Sequence, residues 1–186
     1  MKSRIEKTEL DGVWVIETDF PRDERGFFIE SYHADRFREL GITLDFVQDN
    51  HSRSRRGVLR GLHYQNLTAP QAKLVRCTRG VVYDVVVDLR IGSPTFGRWV
   101  GVELSDENMR QILVPVGFAH GFAVISDVAD LQYKCSSYYT PLAEGSVAWD
   151  DPDIGVRWPI ETPILSPRDR AAQSLRAYAA QPAFHI

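Results

Sequence analysis

Two histidines stand out because each lies near glycine in a run with the pattern of a β-strand. The first occurs in Gly61-Leu62-His63-Tyr64-Gln65, and the second in Pro115-Val116-Gly117-Phe118-Ala119-His120. Histidine titrates near neutral pH, so it can serve as a general acid or base, and its neutral ring can bind a metal. The residues around the two histidines must therefore decide between proton transfer and metal binding.

The neighbours of His63 argue against a metal ion. Side chains two apart on a strand share a face, so Gln65 occupies a position where a metal site would use a second histidine. The next predicted strand begins at Lys73, a cation where a carboxylate ligand would be needed. Two histidines and an amide make a poor site for a divalent ion. We expect no bound metal, and chemistry by side chains alone.

Other titratable residues accompany the two histidines. Arg60 precedes His63 by three residues, Lys73 follows on the next strand, and a tyrosine-rich strand comes later in the chain. Polar groups that converge inside a fold cost folding energy unless they are paired, so such a cluster suggests a functional site. The alternative for His63 is a structural histidine that bonds its own loop.

Short β-patterned runs, separated by glycine, proline, asparagine and aspartate, position these residues. They occupy residues 73–78, 81–89, 99–104, 111–114, 121–125 and 131–138. Many short strands at near-regular spacing predict a sandwich or a barrel. The fold class is therefore all-β.

The two ends of the chain add a few further elements. Strands are predicted at 13–16 and 27–32, and a short helix at 34–40 ends where Gly41 can act as its C-terminal cap. The alanine-rich run 171–180 predicts a C-terminal helix. Ser166 and Pro167 form a plausible helix start, with serine as N-cap and proline at the first position.

Length and composition limit the possible functions. The chain has 186 residues, is 44% hydrophobic and 25% charged, and carries a net charge of −3. We expect a single domain over 1–186, with no support for a nucleic-acid or membrane partner. Residues 1–11 lack the apolar core of a signal peptide, so we expect a soluble, cytoplasmic protein. Cys77 and Cys135 are too few for a disulfide framework and are expected in the core.

Seven stretches, in order over nearly the whole chain, resemble those of the dTDP-4-dehydrorhamnose 3,5-epimerase family. They are DERGFF at 23–28, FVQDNHS at 46–52, GVLRGLHYQ at 57–65, KLVRC at 73–77, SPTFG at 93–97, PVGFAHGF at 115–122 and WDDP at 149–152. So long an ordered set is specific for the family. It is less specific for the exact sugar, because relatives act on other nucleotide-linked ketosugars.

The resemblance implies a fold, a reaction and a partner. The fold is a metal-free, cupin-type jelly roll with a few short helices, the last at the C-terminus. The reaction inverts C3 and C5 of dTDP-4-dehydro-6-deoxy-D-glucose without a cofactor, and its product, dTDP-4-dehydro-L-rhamnose, feeds dTDP-L-rhamnose biosynthesis. The family is usually a homodimer in which N-terminal strands cross over to the partner.

The resemblance also implies residue roles. His63 is the base, Asp169 its partner and Tyr133 the acid on the opposite face of the sugar. Lys73 stabilises the enolate oxygen, and nearby cations such as Lys73 are expected to lower the pKa of Tyr133 from about 10. Substrate contacts are implied for Phe20, Arg25, Glu30, Gln48, Asn50, Arg60, His120 and one of Tyr138 and Tyr139.

Several alternatives stay open at this point. Asp169 could simply belong to a capping box with Ser166, and Tyr133 could be a core tyrosine. Tyr138 and Tyr139 face opposite sides of their predicted strand, so at most one can line the site. The rival functions are an epimerase of one carbon or a ketoisomerase acting on a related deoxysugar, a metal-dependent cupin oxygenase, and a non-catalytic sugar-binding cupin.

Overall fold

A computed structural model describes residues 1–186. The chain forms β-strands joined by turns, with three short α-helices. The strands are β1 (Ser3–Lys7), β2 (Trp14–Thr18), β3 (Arg22–Asp23), β4 (Gly26–Phe27), β5 (Gln48–Arg55), β6 (Leu59–Gln65), β7 (Lys73–Arg79), β8 (Val81–Asp88), β9 (Trp99–Ser105), β10 (Gln111–Val114), β11 (Phe118–Val124), β12 (Val128–Cys135) and β13 (Glu144–Ser146). The helices are α1 (Ala34–Glu39), α2 (Pro167–Arg170) and α3 (Leu175–Ala180).

Two antiparallel sheets make up the body of the molecule. One has six strands in the order β1-β2-β10-β7-β12-β5, and the other has five in the order β13-β6-β11-β8-β9. Strands β3 and β4 form a separate hairpin. The sheets pack face to face and do not close into a barrel, so the predicted all-β jelly roll is confirmed in its sandwich form. No helix has the length and hydrophobicity to cross a bilayer.

The space between the sheets is apolar at one end of the strands and polar at the other. Alternate residues of a strand share a face, and on β12 the inward set includes Leu131 and Tyr133. At one end this space holds a cluster of 14 buried residues, among them Val82, Phe122 and Leu131. At the other end the same alternation directs polar side chains inward. The strand pattern thus builds an apolar core and a polar interior in one sandwich.

Both sheets are also covered on their outer faces. Leu62 and Tyr64, which flank His63, point outward and pack with Leu175 and Tyr178 of α3. On the other sheet, Phe37 of α1 belongs to a smaller buried cluster with residues of β2, β7 and β10. Because Leu62 and Tyr64 are held on the outside, His63 is turned into the interior.

Most predicted elements are confirmed, and three are corrected. The predicted strand 27–32 is wrong beyond Phe27, because the hairpin with β3 is only two residues long on each side. The strand expected over 131–138 ends at Cys135. The helix predicted at 171–180 begins only at Leu175, because Gln173 bridges to Val147 and Ser174 caps a new helix. The predicted helix at 34–40 is confirmed, as are the buried, unpaired Cys77 and Cys135.

Candidate active site

Polar side chains from both sheets meet in the interior. His63 on β6 and His120 on β11 are cross-strand partners in the five-stranded sheet. In the six-stranded sheet, β12 places Tyr133 beside Asn50 of β5 and Cys135 beside Lys73 of β7. The two histidine-containing runs identified in the sequence therefore come together on neighbouring strands, facing the strands that carry Lys73 and Tyr133.

His63 is held by a buried carboxylate. Its Nε2 lies 2.5 Å from Oδ1 of Asp169, which is 4% exposed, whereas the His63 side chain is 25% exposed. An ionised carboxylate only accepts hydrogen bonds, so we assign the shared proton to Nε2. The other ring nitrogen, Nδ1, makes no hydrogen bond within the chain. Its lone pair is therefore free to take a proton from a bound molecule.

The position of Asp169 depends on a helix start. The backbone N–H of Asp169 donates to the hydroxyl of Ser166, the N-cap of α2, and that hydroxyl donates to Oδ2 at 2.7 Å. Asp169 is therefore both a partner of the cap residue and the partner of His63. Burial alone would raise the pKa of Asp169, but the hydrogen bonds from His63 and Ser166 outweigh it and lower the pKa. The carboxylate is ionised at neutral pH.

Lys73 and Tyr133 lie together on the opposite sheet. The Lys73 Nζ is 6.0 Å from the centre of the Tyr133 ring and forms no salt bridge with any carboxylate. Burial lowers the pKa of Lys73. This effect is partly offset by the negative charges of Cys135, when it is ionised, Glu144 and Asp84. A cation without a fixed partner can interact with an anionic oxygen of a ligand.

The expectation that nearby cations lower the pKa of Tyr133 is wrong. Burial raises the pKa of Tyr133, and the positive charge of Arg60 only partly counteracts it. Desolvation disfavours the charged phenolate, so the tyrosine keeps its proton at neutral pH. That state suits a proton donor. The ring also packs against the apolar core, so the core interpretation and the site interpretation of Tyr133 both apply.

His120 has a carboxylate partner of its own, which the sequence reasoning missed. Its Nε2 lies 3.0 and 2.9 Å from the two oxygens of Asp84 on β8. His120 is 7% exposed and Asp84 is fully buried. The signal was present in the sequence, because Asp84 interrupts a valine-rich strand, and a buried carboxylate requires a partner.

Gln65 connects the loops beside the site. It is 5% exposed, and its amide donates to the carbonyls of Ala69 and Tyr138 and accepts from the N–H of Thr140. The residue that stands where a metal site would have histidine therefore ties two loops to β6. Tyr138 and Tyr139 belong to one of these loops, so the prediction that they face opposite sides of a strand is wrong.

The predicted nucleotide contacts on β5 form a chain of hydrogen bonds. The Gln48 amide donates to Asn50 at 3.1 Å and accepts from the backbone N–H of Tyr139 at 2.9 Å. Asn50 in turn donates to Sγ of Cys135 at 3.5 Å. The Tyr139 hydroxyl donates to Glu144 at 2.6 Å. Both Tyr138 and Tyr139 are exposed at the rim, at 70% and 50%.

Arg60 lies near the site, and the N-terminal candidates do not. Arg60 donates to Ser54 at 3.1 Å, and its charge acts on Tyr133. Phe20 instead packs against Phe27 with ring centres 5.6 Å apart. Arg25 pairs with Asp23 and Glu30 with Arg36. None of these bonds joins Phe20, Arg25 or Glu30 to the residues around His63 within one chain.

Comparisons with known proteins identify the family. A family model described as dTDP-4-dehydrorhamnose 3,5-epimerase matches residues 7–177. The chain belongs to the dTDP-4-dehydrorhamnose 3,5-epimerase family. The enzyme of that name from Salmonella typhimurium is 53% identical over 171 residues, which cover 91% of this chain and 93% of the relative. The family predicted from the sequence, which is one of isomerases, is thereby confirmed.

The names of family members give either one or two epimerised carbons. A crystal structure of dTDP-6-deoxy-D-glucose-3,5-epimerase from Legionella pneumophila, in complex with dTDP-4-keto-L-rhamnose, matches with a TM-score of 0.95 and 51% identity. It covers 100% of this chain and 99% of that chain. A relative from Streptomyces niveus, 46% identical over 91% of this chain and 82% of its own length, is named dTDP-4-dehydrorhamnose 3-epimerase. One and two inverted carbons are therefore both found among relatives.

The arrangement in this member of the epimerase family has the parts that proton transfer needs. It offers an imidazole nitrogen without a partner on one sheet, and a protonated phenol and a lysine without a salt bridge on the other. No group of three or more His, Cys, Asp or Glu side chains is placed to hold a metal ion. His63, Tyr133 and Lys73 are the side chains in this interior that could take part in proton transfer.

Proposed function

We propose that the chain inverts both C3 and C5 of dTDP-4-dehydro-6-deoxy-D-glucose and produces dTDP-4-dehydro-L-rhamnose for dTDP-L-rhamnose biosynthesis. Family membership supports the substrate class, because the relatives' names give it. Both carbons lie next to the C4 ketone, so their protons are acidic. Removal of either proton gives an enolate, and return of a proton from the opposite face inverts the carbon.

In this proposal each polar group has one task. Nδ1 of His63 removes the proton, and Asp169 stabilises the imidazolium that forms. The Lys73 ammonium stabilises the enolate oxygen without a metal or a cofactor. Tyr133 returns a proton from the other face, and its neutral state supports that role. Arg60, His120, Gln48 and Asn50 would contact the substrate.

One observation carries the catalytic part of the proposal: the 2.5 Å hydrogen bond between His63 and Asp169, with Nδ1 left free. A buried carboxylate on one nitrogen and no partner within the chain on the other suits an oriented base. His120 is bonded to Asp84 in the same way, but its side chain is only 8% exposed, whereas that of His63 is 25% exposed and so more accessible to a bound sugar.

Solvent exchange tests whether one or two carbons of the sugar are inverted. The enzyme is incubated with the ketosugar nucleotide in deuterated water, and the product is analysed by NMR. The proposal predicts deuterium at both C3 and C5. Exchange and inversion at C3 alone would support the second candidate, a 3-epimerase, which the relative from Streptomyces niveus favours. No turnover with any ketosugar nucleotide would instead indicate a sugar-binding protein.

We also propose a homodimer in which the N-terminal segment reaches the partner's site. Phe27 and Phe28 are 53% and 70% exposed in a single chain, even though the Phe20 ring packs against Phe27. In that assembly Phe20, Arg25 and Glu30 would contact the nucleotide bound by the second copy. Sedimentation at micromolar concentration should give a dimer, and a monomer would refute this part.

A further inference from the structure

Gln65 is a buried polar residue to which the proposed reaction gives no task. It ends β6, two residues after His63, and is 5% exposed. Its Nε2 donates to the carbonyls of Ala69 and Tyr138, at 2.9 and 3.3 Å. Its Oε1 accepts from the backbone N–H of Thr140 at 2.7 Å. A buried amide that is bonded at both ends makes its partners rigid.

Residues 137–140 form a rim segment after β12 that belongs to no helix or strand. Within it, only the Thr140 carbonyl takes part in a backbone–backbone hydrogen bond, which comes from the N–H of Ala143. All other hydrogen bonds from the rest of the chain to its backbone come from glutamine side chains: Gln71 to the Ser137 carbonyl at 2.8 Å, Gln48 from the Tyr139 N–H at 2.9 Å, and the two made by Gln65.

Gln65 has the largest share in holding the rim segment. It bonds the segment twice and also bonds the neighbouring loop at Ala69. Its own backbone lies in β6 and pairs with Glu144 of β13. Gln65 therefore fixes the rim segment relative to the strand that carries His63. Without these bonds, the backbone of the segment would turn to water and gain conformational freedom.

The rim segment presents two aromatic rings at the mouth of the polar interior. Tyr138 and Tyr139 are 70% and 50% exposed. The Tyr139 hydroxyl donates to Glu144 at 2.6 Å, whereas the Tyr138 hydroxyl forms no hydrogen bond within the chain. An exposed aromatic ring is a surface on which a planar base can stack, and the proposed substrate carries such a base.

We propose that Gln65 is a positioning residue for nucleotide binding: it holds the rim segment in the conformation that receives the nucleotide of the substrate. This inference rests on the proposed function, in which the substrate is a dTDP-linked sugar. Gln65 is itself covered, and its hydrogen bonds all go to the chain. A segment that is ordered before binding loses little entropy on binding, so Gln65 raises affinity.

The test is Gln65→Met, which preserves the volume and removes all three hydrogen bonds. Isothermal titration with dTDP alone measures Kd. Ordering the backbone of one residue costs about 5-fold to 30-fold in affinity, so Kd should rise by about that factor. KM for the ketosugar nucleotide should rise with it, whereas kcat should change little. A wild-type Kd, or a loss confined to kcat, would overturn the proposal.

Amide hydrogen exchange tests how Gln65 acts. The N–H groups of Tyr139 and Thr140 donate to Gln48 and Gln65 in the wild type. Mass spectrometry of peptides that cover 137–143 should show faster exchange in Gln65→Met than in the wild type. Unchanged exchange would overturn the proposal even if Kd rose, because the loss of affinity would then not come from the rim segment.

Ser126→Ala is the control for lost hydrogen bonds to the backbone. The Ser126 hydroxyl accepts from the N–H of Val81 and donates to the carbonyl of Val128, both at 2.8 Å, in the turn between β11 and β12. This turn lies at the apolar end of the sandwich. Ser126→Ala should lower the thermal unfolding temperature and leave Kd for dTDP unchanged. An equal rise in Kd would assign the effect to lost stability and overturn the proposal.

Gln71→Met guards against a Gln65→Met protein that does not fold. Gln71 makes one hydrogen bond to the rim segment, so its loss should raise Kd for dTDP by a smaller factor. If Gln65→Met did not fold and Gln71→Met bound dTDP as the wild type does, the proposal would fail. If the wild type bound no dTDP, the proposed substrate class would fail. If it bound dTDP and both variants bound equally well, only this inference would fail.

Discussion

Replacing Asp169 with asparagine is the most informative single change. Asparagine has the same shape, so its carbonyl can still accept from Nε2 of His63 and its amide can donate to Ser166. What disappears is the negative charge 2.5 Å from the ring. Hydrogen bonds to charged groups contribute about 1.5–3 kcal/mol. At about 1.4 kcal/mol per factor of ten, kcat should fall about 10-fold to 150-fold.

The assay compares kcat and KM for the ketosugar nucleotide in wild type and Asp169→Asn. The loss should be in kcat, because the charge matters when the imidazolium forms. Asp127→Asn is the control, because Asp127 pairs with Arg56 on the surface and such pairs contribute little. A wild-type kcat in Asp169→Asn would refute the account of His63 as a base supported by a carboxylate.

Asp169→Asn also tests how the stability of the fold depends on pH. The pKa of Asp169 is lowered in the folded protein, so its ionised form stabilises the fold above the unfolded value, about 3.9. That stabilisation is lost as pH falls through the folded pKa. The difference in free energy of unfolding between wild type and Asp169→Asn should therefore shrink from pH 7 to pH 3. Urea unfolding measures it, and a difference that grew in acid would contradict the reasoning.

Three further changes test other parts of the account. Lys73→Gln should lower kcat by a factor of about 10²–10³, with KM little changed. The control is Lys134→Gln at the surface, which should have no effect on kcat. Equal kcat values for the two variants would contradict the role of Lys73. Tyr133→Phe should stop inversion while His63 still exchanges substrate protons, as NMR in deuterated water would show; normal inversion would exclude Tyr133 as the acid. Gly61→Ala should destabilise the fold by about 1–3 kcal/mol, because its Cβ would lie 2.5 Å from Cα of Gly121. In Gly26→Ala, also at positive φ but with open space, thermal unfolding should change less.

The sandwich and the two histidine strands could be predicted because the information is local. Alternation of apolar and polar residues sets which side chains face inward, and this placed His63 and Gln65 on one face. The pairing of His63 with Asp169, 106 residues apart, could not be read from any pattern. It followed from the resemblance to the family, and Ser166 alone indicated only a helix start.

The remaining differences have physical causes that lie outside local sequence. The run after Phe27 has strand character, but it pairs with no strand within one chain. Tyr133 was expected to be more acidic because of nearby cations, yet desolvation outweighs them. Asp84 was overlooked because its histidine lies on another strand, 36 residues away. Burial and pairing are properties of the assembled sheets.

The most direct test of the central claim is proton exchange by His63→Asn. The variant removes Nδ1, while Asp169 keeps its hydrogen bond from the Ser166 hydroxyl, and circular dichroism verifies that the variant is folded. In deuterated water we predict that deuterium enters neither C3 nor C5 of the ketosugar, whereas the wild type labels both. Exchange at wild-type rate at either carbon in the variant would show that another group removes that proton, and would contradict the assignment of His63 as the base.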